Sequence, residues 1–424
     1  MIAIPFIYFT GLAIYLIRKN GGLNISAFVV LLYALSAFSS ILLDHFNIYD
    51  TQGMCEKIPI SPLATFCYCA LITLAIIPFR HLNSTKIKHI DLQKEWMVDA
   101  LSWILIITLF TTLLTTFINI NTILHSDLKE IRDIAYANET KVKLPFYQWI
   151  LALPETLFSQ FSPVAMLIYF ANIVKKRKST AFNYLLFVSS LTPVIKAVQI
   201  AGRTQPIYWL LSFVALYIFF RPFMSKEQRK IARFPFLLFS GIIGIFFLAV
   251  TLARFSSVGL SNDTGAFESI IVYSGQSFVN FNYFFCNYTA HDIHFDRIFP
   301  LTNYFIIHPG WNLTDYREII RSYSGLNIGI FYTFLGDLMV DLDHAGMIIY
   351  VLIYFVISSY LCRTASKDGS MALSRFLIIL VLYLIPLQGV FYYSYYKTNV
   401  GYFVVGTLIF CFLLSHSIKS KYNE

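Results

Sequence analysis

The sequence predicts an all-α polytopic membrane protein of about eleven transmembrane helices with one large loop outside the membrane. Three observations predict it. Apolar residues make up 57% of the 424 residues and charged residues 13%, against about 45–50% and 25% in soluble domains. Eleven apolar stretches approach the roughly 20 residues a helix needs to cross a hydrocarbon core of about 30 Å. Between two of them, residues 254–344 turn mixed and polar.

The stretches are 1–17, 25–43, 59–79, 97–118, 157–174, 182–200, 206–220, 235–253, 345–361, 372–388 and 399–415, the first and seventh being short. Alternate connectors hold Arg18/Lys19, Arg80/Lys86/Lys88/Lys94, Lys175/Lys176/Arg177/Lys178, Arg221/Lys226/Arg229/Lys230/Arg233, Arg363/Lys367/Arg375 and Lys419/Lys421. Short loops rich in lysine and arginine stay in the cytoplasm. That rule puts Met1 outside and Glu424 in the cytoplasm. The net charge of +9 is then a topology signal, and no nucleic-acid partner is expected. The first apolar run precedes its cations, which reads as a retained span rather than a cleaved signal.

Three parts follow: 1–253, with eight spans and an outer segment 119–156; the large loop 254–344; and 345–424, with three spans and a cytoplasmic tail. Leu124, Leu128, Ile131 and Ala135 recur at helical spacing within 119–156, as in a helix lying on a membrane surface. In the large loop, Phe281, Tyr283, Phe284, Phe285 and Tyr288 read as core or interface. Cys55 and Cys286 alone of six cysteines fall outside, so one disulfide is open to the chain.

Charges in spans are costly and mark function by default. Lys196, Arg203 and Arg254 lie at outer span ends. Lys196 reads as snorkelling to headgroups. Arg203 is fixed in the tight Gly202-Arg203-Thr204-Gln205-Pro206 connector, and Arg254 opens the large loop. A guanidinium forks to two phosphate oxygens and keeps its charge, which suits a diphosphate. Arg297, Arg317 and Arg321 are further candidates for such a clamp, each read first as a surface residue. For a general base, His308 in Ile307-His308-Pro309-Gly310-Trp311 sits on a predicted turn. Asp337, Asp341 and His344 share one face of a helix predicted over 329–343. That face reads first as solvated, with a stripe lining a cavity as the sharper alternative.

His291 and His294 with Asp292 and Asp296 lack the third-ligand spacing of an established metal site, so no metal is expected. Nucleophile elbow, phosphate-cradling glycine loop and dinucleotide fingerprint are all missing, and no cofactor is expected.

Span count, the Gly202-Arg203-Thr204 connector and the late large loop resemble bacterial O-antigen or oligosaccharide repeat-unit polymerases (Wzy-type). So does Asn327-Ile328-Gly329-Ile330-Phe331-Tyr332-Thr333 running on to Asp341 and Gly346, where the family often shows an Asn, a Thr and an Asp-aromatic-Gly. This chain keeps Asp341 but has Leu342-Asp343 for aromatic-Gly. Arg254, followed after ten residues by Gly265, is similar to a pattern of such loops. The resemblance implies a periplasmic glycosyltransferase that moves a growing glycan from undecaprenyl diphosphate onto a lipid-linked repeat unit. Arg203 and Arg254, joined by Arg317 and Arg321, would bind diphosphate, and His308 or Asp341 would take the acceptor proton. A chain-length regulator and a flippase are the partners it implies. A lipid-linked oligosaccharide flippase, an O-antigen ligase and a membrane acyltransferase are the rival readings. Span charges kept near one face disfavour the flippase, the ligase shares the whole architecture, and no acyl-carrier signature supports the acyltransferase.

Overall fold

The computed structural model describes residues 1–49, 55–82, 87, 89–118, 146–199, 202, 204–257, 266–289, 295, 297–307, 309, 318–322, 325–365 and 369–416. For 146–148, 246–257, 266, 267, 269 and 396 it describes the backbone only. The protein is an all-α polytopic membrane protein. Among the described residues, eight helical stretches are long and apolar enough to cross a membrane, and Leu373–Gln388 is a shorter apolar helix.

The helices are α1 (Ile4–Asn20), α2 (Ile25–His45), α3 (Pro62–Ile76), α4 (Glu95–Ile118), α5 (Phe146–Phe158), α6 (Ser162–Lys175), α7 (Thr180–Ser189) and α8 (Thr192–Gln199). They continue with α9 (Thr204–Phe220), α10 (Lys226–Ser257), α11 (Ala266–Asn287), α12 (Thr333–Thr364), α13 (Leu373–Gln388) and α14 (Thr398–Ser415). Start signals are local. Asn24 accepts from Ala27 N at 2.8 Å to cap α2, and Ser61 precedes Pro62 at the first position of α3, where a missing N–H costs nothing. Gly21, at φ 68°, closes α1 in the left-handed region.

Prolines inside apolar helices free the carbonyl four residues back, and lipid offers that carbonyl no water. Here hydroxyls take it up. Tyr169 donates to Ile231 O (3.3 Å) behind Pro235, and Tyr354 to Leu382 O (2.8 Å) behind Pro386. The latter half of α12 shows the other requirement. Ile348, Ile349, Leu352, Ile353, Val356, Ile357 and Tyr360 are exposed along one stripe while Met347, Val351 and Tyr354 are buried, as expected of a helix between protein and lipid.

Contacts between connectors sort the chain ends onto two faces. On one, β1 (His89–Asp91) pairs in parallel with β2 (Ser370–Ala372), a small pairing that the all-α expectation lacks. Arg177 there bridges Glu95 at 2.9 Å and Asp99 at 2.8 Å, and Lys94 donates to Leu413 O at 2.7 Å. These are the connectors rich in lysine and arginine. On the other face, Cys55 N and Ser61 N donate to the side chains of Asn280 and Asn282 (3.0 and 2.9 Å).

Much of the expected outer loop is therefore packed into the bundle. Helix α11 lies against α2, where Ser36 and Ser40 donate to Ser274 O (2.7 Å) and Gly275 O (2.6 Å). Contact is close enough that a Cβ on Gly275 would sit 2.5 Å from the Ser39 carbonyl carbon. Phe281, Phe284 and Tyr288 belong to the main core, with Tyr283 and Phe285 packed against it, as their clustering predicts, and Phe278 joins them. Segment 119–145, with the predicted surface helix, lies outside the described residues.

Candidate functional site

The first ten residues of α12, Thr333 to Leu342, are all buried. Leu, Met and Phe alternate with two aspartates a helical turn apart, so Asp337 and Asp341 stack on one face. Both are fully buried, which corrects the reading of that face as solvated. Its surroundings are protein.

Arg297, expected at the surface, is 3% exposed and forms an ion pair with Asp337. Tyr332 OH accepts from the same guanidinium at 2.8 Å and donates to Asp337 Oδ1 at 3.0 Å. Asp337 Oδ2 accepts the N–H of Tyr393 beyond the end of α13. Asp341 Oδ2 accepts two backbone amides, Arg297 N at 2.7 Å and Ile298 N at 3.0 Å. An uncompensated charge at this depth would cost several kcal/mol, so each carboxylate requires its partners. The network ties three segments together: the start of α12, the end of α13, and the stretch 297–307 that leads to His308.

Two backbone strains bracket this half-helix. Thr333 begins it at φ 65° and Asp343 breaks it at φ 64°, ψ 176°. The first is an outlier for a β-branched residue, and the second is a glycine conformation. Such residues cost about 1–3 kcal/mol each and persist only where neighbours dictate them. Tyr332 N and Thr333 N both donate to Phe391 O, at 3.2 and 2.9 Å, and Phe334 N donates to Gly389 O at 2.9 Å. At the break, His344 Nδ1 lies 2.8 Å from Asp343 Oδ1 and its Nε2 2.9 Å from Phe285 O, fastening α11 to the kink.

Among the predicted site residues, Asp341 is in the network, where its carboxylate holds backbone rather than facing open space. Arg321 is exposed on a short helical turn, 318–322. Arg254 lies in α10, with only its backbone described. His308, Arg203 and Arg317 lie outside the described residues, as do His291, His294 and Asp296. Among the described residues no group of three His, Cys, Asp or Glu gathers as a metal site. Lys196 does not snorkel alone: it pairs at 2.9 Å with buried Glu155, which also accepts from Thr115 at 3.1 Å. Cys55 is buried and Cys286 exposed, both as free thiols; burial pushes the Cys55 thiol up to about 12.

The residue that sequence reasoning misplaced is Arg297. Two aspartates at helical spacing ahead of an apolar run call for a buried cation, and Asp337 with Asp341 was that signal. Comparison with protein-family models, with curated proteins and with solved structures finds no match to this chain.

Proposed function

We propose that the protein is a bacterial inner-membrane polymerase joining undecaprenyl-diphosphate-linked oligosaccharide repeat units at the periplasmic face. In this reading all eleven apolar stretches cross, with the N-terminus periplasmic and the C-terminus cytoplasmic. An acceptor hydroxyl attacks the anomeric carbon of the growing glycan. The new glycosidic bond forms as the bond to the diphosphate oxygen breaks, and undecaprenyl diphosphate leaves. Arg203, Arg254, Arg317 and Arg321 neutralise the diphosphate. His308 takes the acceptor proton, a contribution typically of about 10²–10⁴-fold. Asp341, which holds the backbone amides of Arg297 and Ile298, is the alternative base.

One observation carries the reading. The resembled family has glycine where this chain has Asp343, and Asp343 is the residue that breaks α12 with a glycine-type backbone. The strain at Thr333, the threonine of the same pattern, supports it. Reconstitution of the purified protein with a lipid-linked repeat unit, products resolved by length on a gel, tests it. A ladder with free polyprenyl diphosphate is expected, lost in Arg203→Ala and Arg254→Ala while both variants stay folded. Full-length polymer from both variants would remove the arginine clamp. Substrate crossing the vesicle without a ladder would mean a flippase.

A further inference from the structure

Two neighbouring spans are broken at matching depth. Ser159–Phe161, a tight turn, separates α5 from α6 within the stretch Trp149–Lys175. Ser190 and Leu191 separate α7 from α8 within Thr180–Gln199. The breaks are tied to each other: Ser162 donates to Ser190 O at 2.6 Å, and Trp209 Nε1 donates to Ser190 Oγ at 2.9 Å. Broken helices at membrane depth are tolerated where they line a cavity, and they commonly build binding sites.

A cavity is present there. It measures about 30 Å³ and is lined by both breaks, through Ser162, Pro163 and Pro193, and by α9, α13 and α14. No described side chain lining it is charged. Gln160, Gln205 and Gln388 offer amides, and Tyr208 and Trp209 offer aromatic rings. Ser212, which also lines it, is 2% exposed, and its Oγ has no hydrogen-bond partner among the described residues. A buried hydroxyl without a partner is costly, and one facing a cavity is satisfied when something polar enters.

We infer that this cavity is a recognition subsite for a neutral, oxygen-bearing sugar substituent, of the size of a hydroxymethyl or acetamido group. Amides and a free hydroxyl pair with sugar oxygens in either direction, while the described side chains of the lining offer a diphosphate no counter-ion. The volume, room for about two waters, admits one substituent rather than a ring, so the subsite selects among sugars instead of holding the whole glycan. That the ligand is a sugar rests on the proposed function; the cavity and its unsatisfied serine do not.

The test uses the full-length protein in detergent micelles, with no lipid-linked substrate present. Saturation-transfer NMR reads binding of N-acetylglucosamine and glucose, with inorganic phosphate as competitor. Transfer to one of the sugars is expected, unaffected by phosphate and reduced about fivefold or more in Ser212→Leu, which fills the cavity. Gln205→Leu, at a half-buried position, removes one amide and covers the case where the serine variant fails to fold. Equal transfer in both folded variants, displacement by phosphate, or no transfer from the unaltered protein would each overturn the subsite. Failure of the polymerase reading shows separately, as a missing ladder on the gel.

Discussion

Asp343 holds a backbone conformation that costs a non-glycine residue about 1–3 kcal/mol. Glycine there removes the strain but loosens the unfolded chain by about 0.4–1 kcal/mol. Asp343→Gly is therefore expected to stabilise the protein by about 1–2 kcal/mol, seen as a higher thermal midpoint in micelles. A lower midpoint would mean that the Asp343–His344 contact outweighs the strain. Arg297 behaves in the opposite way. Arg297→Met alone leaves Asp337 charged and buried, at a cost of about 3–5 kcal/mol. Arg297→Met with Asp337→Leu is expected to recover most of that, because an ion pair can be replaced by packed apolar groups with little loss. A double-mutant cycle on unfolding midpoints measures it, and additive losses would contradict the pairing.

At the level of elements, proline-broken helices depend on hydroxyls from their neighbours. Tyr354→Phe strands Leu382 O behind Pro386 and is expected to cost about 1–3 kcal/mol. Pro386→Ala restores the helix's own N–H and is expected to cancel that loss. A thermal melt of the single and double variants decides it, and equal midpoints for Tyr354→Phe and the unaltered chain would show the carbonyl finds another donor. Helix positions were largely legible in the sequence, because apolar length alone marks a span. Among the described residues eight helical stretches are long and apolar enough to cross a membrane, and α2 begins just behind its cap Asn24. What the sequence did not reveal was α11. Its Gln276, Ser277, Asn280 and Asn282 are all buried, yet they read as loop residues because a polarity pattern cannot see partners supplied by another part of the chain. Arg297 was misplaced for the same reason: charge implies solvent until its carboxylate is known. The Asp337–Asp341 spacing was visible, but the direction its face looks is a tertiary fact.

For the whole molecule, the two faces give a test of sidedness. Cys286 is exposed, while Cys55, Cys69, Cys362 and Cys411 are buried and Cys67 is half-buried. A membrane-impermeant maleimide added to intact spheroplasts is expected to label Cys286 and to leave Cys55 untouched. Labelling only after lysis would invert the topology. The same two faces also set a timetable for synthesis. Strand β1 at His89–Asp91 needs Ser370–Ala372 as its partner. The buried hydroxyl of Tyr33 donates to Pro386 O at 3.0 Å, and Tyr383 donates to Ile25 O at 3.0 Å. At about 5–20 residues per second, the ribosome needs tens of seconds to travel from one member of each pair to the other. The helices inserted first therefore wait in the bilayer for the last ones, and the native bundle closes only near the end of translation.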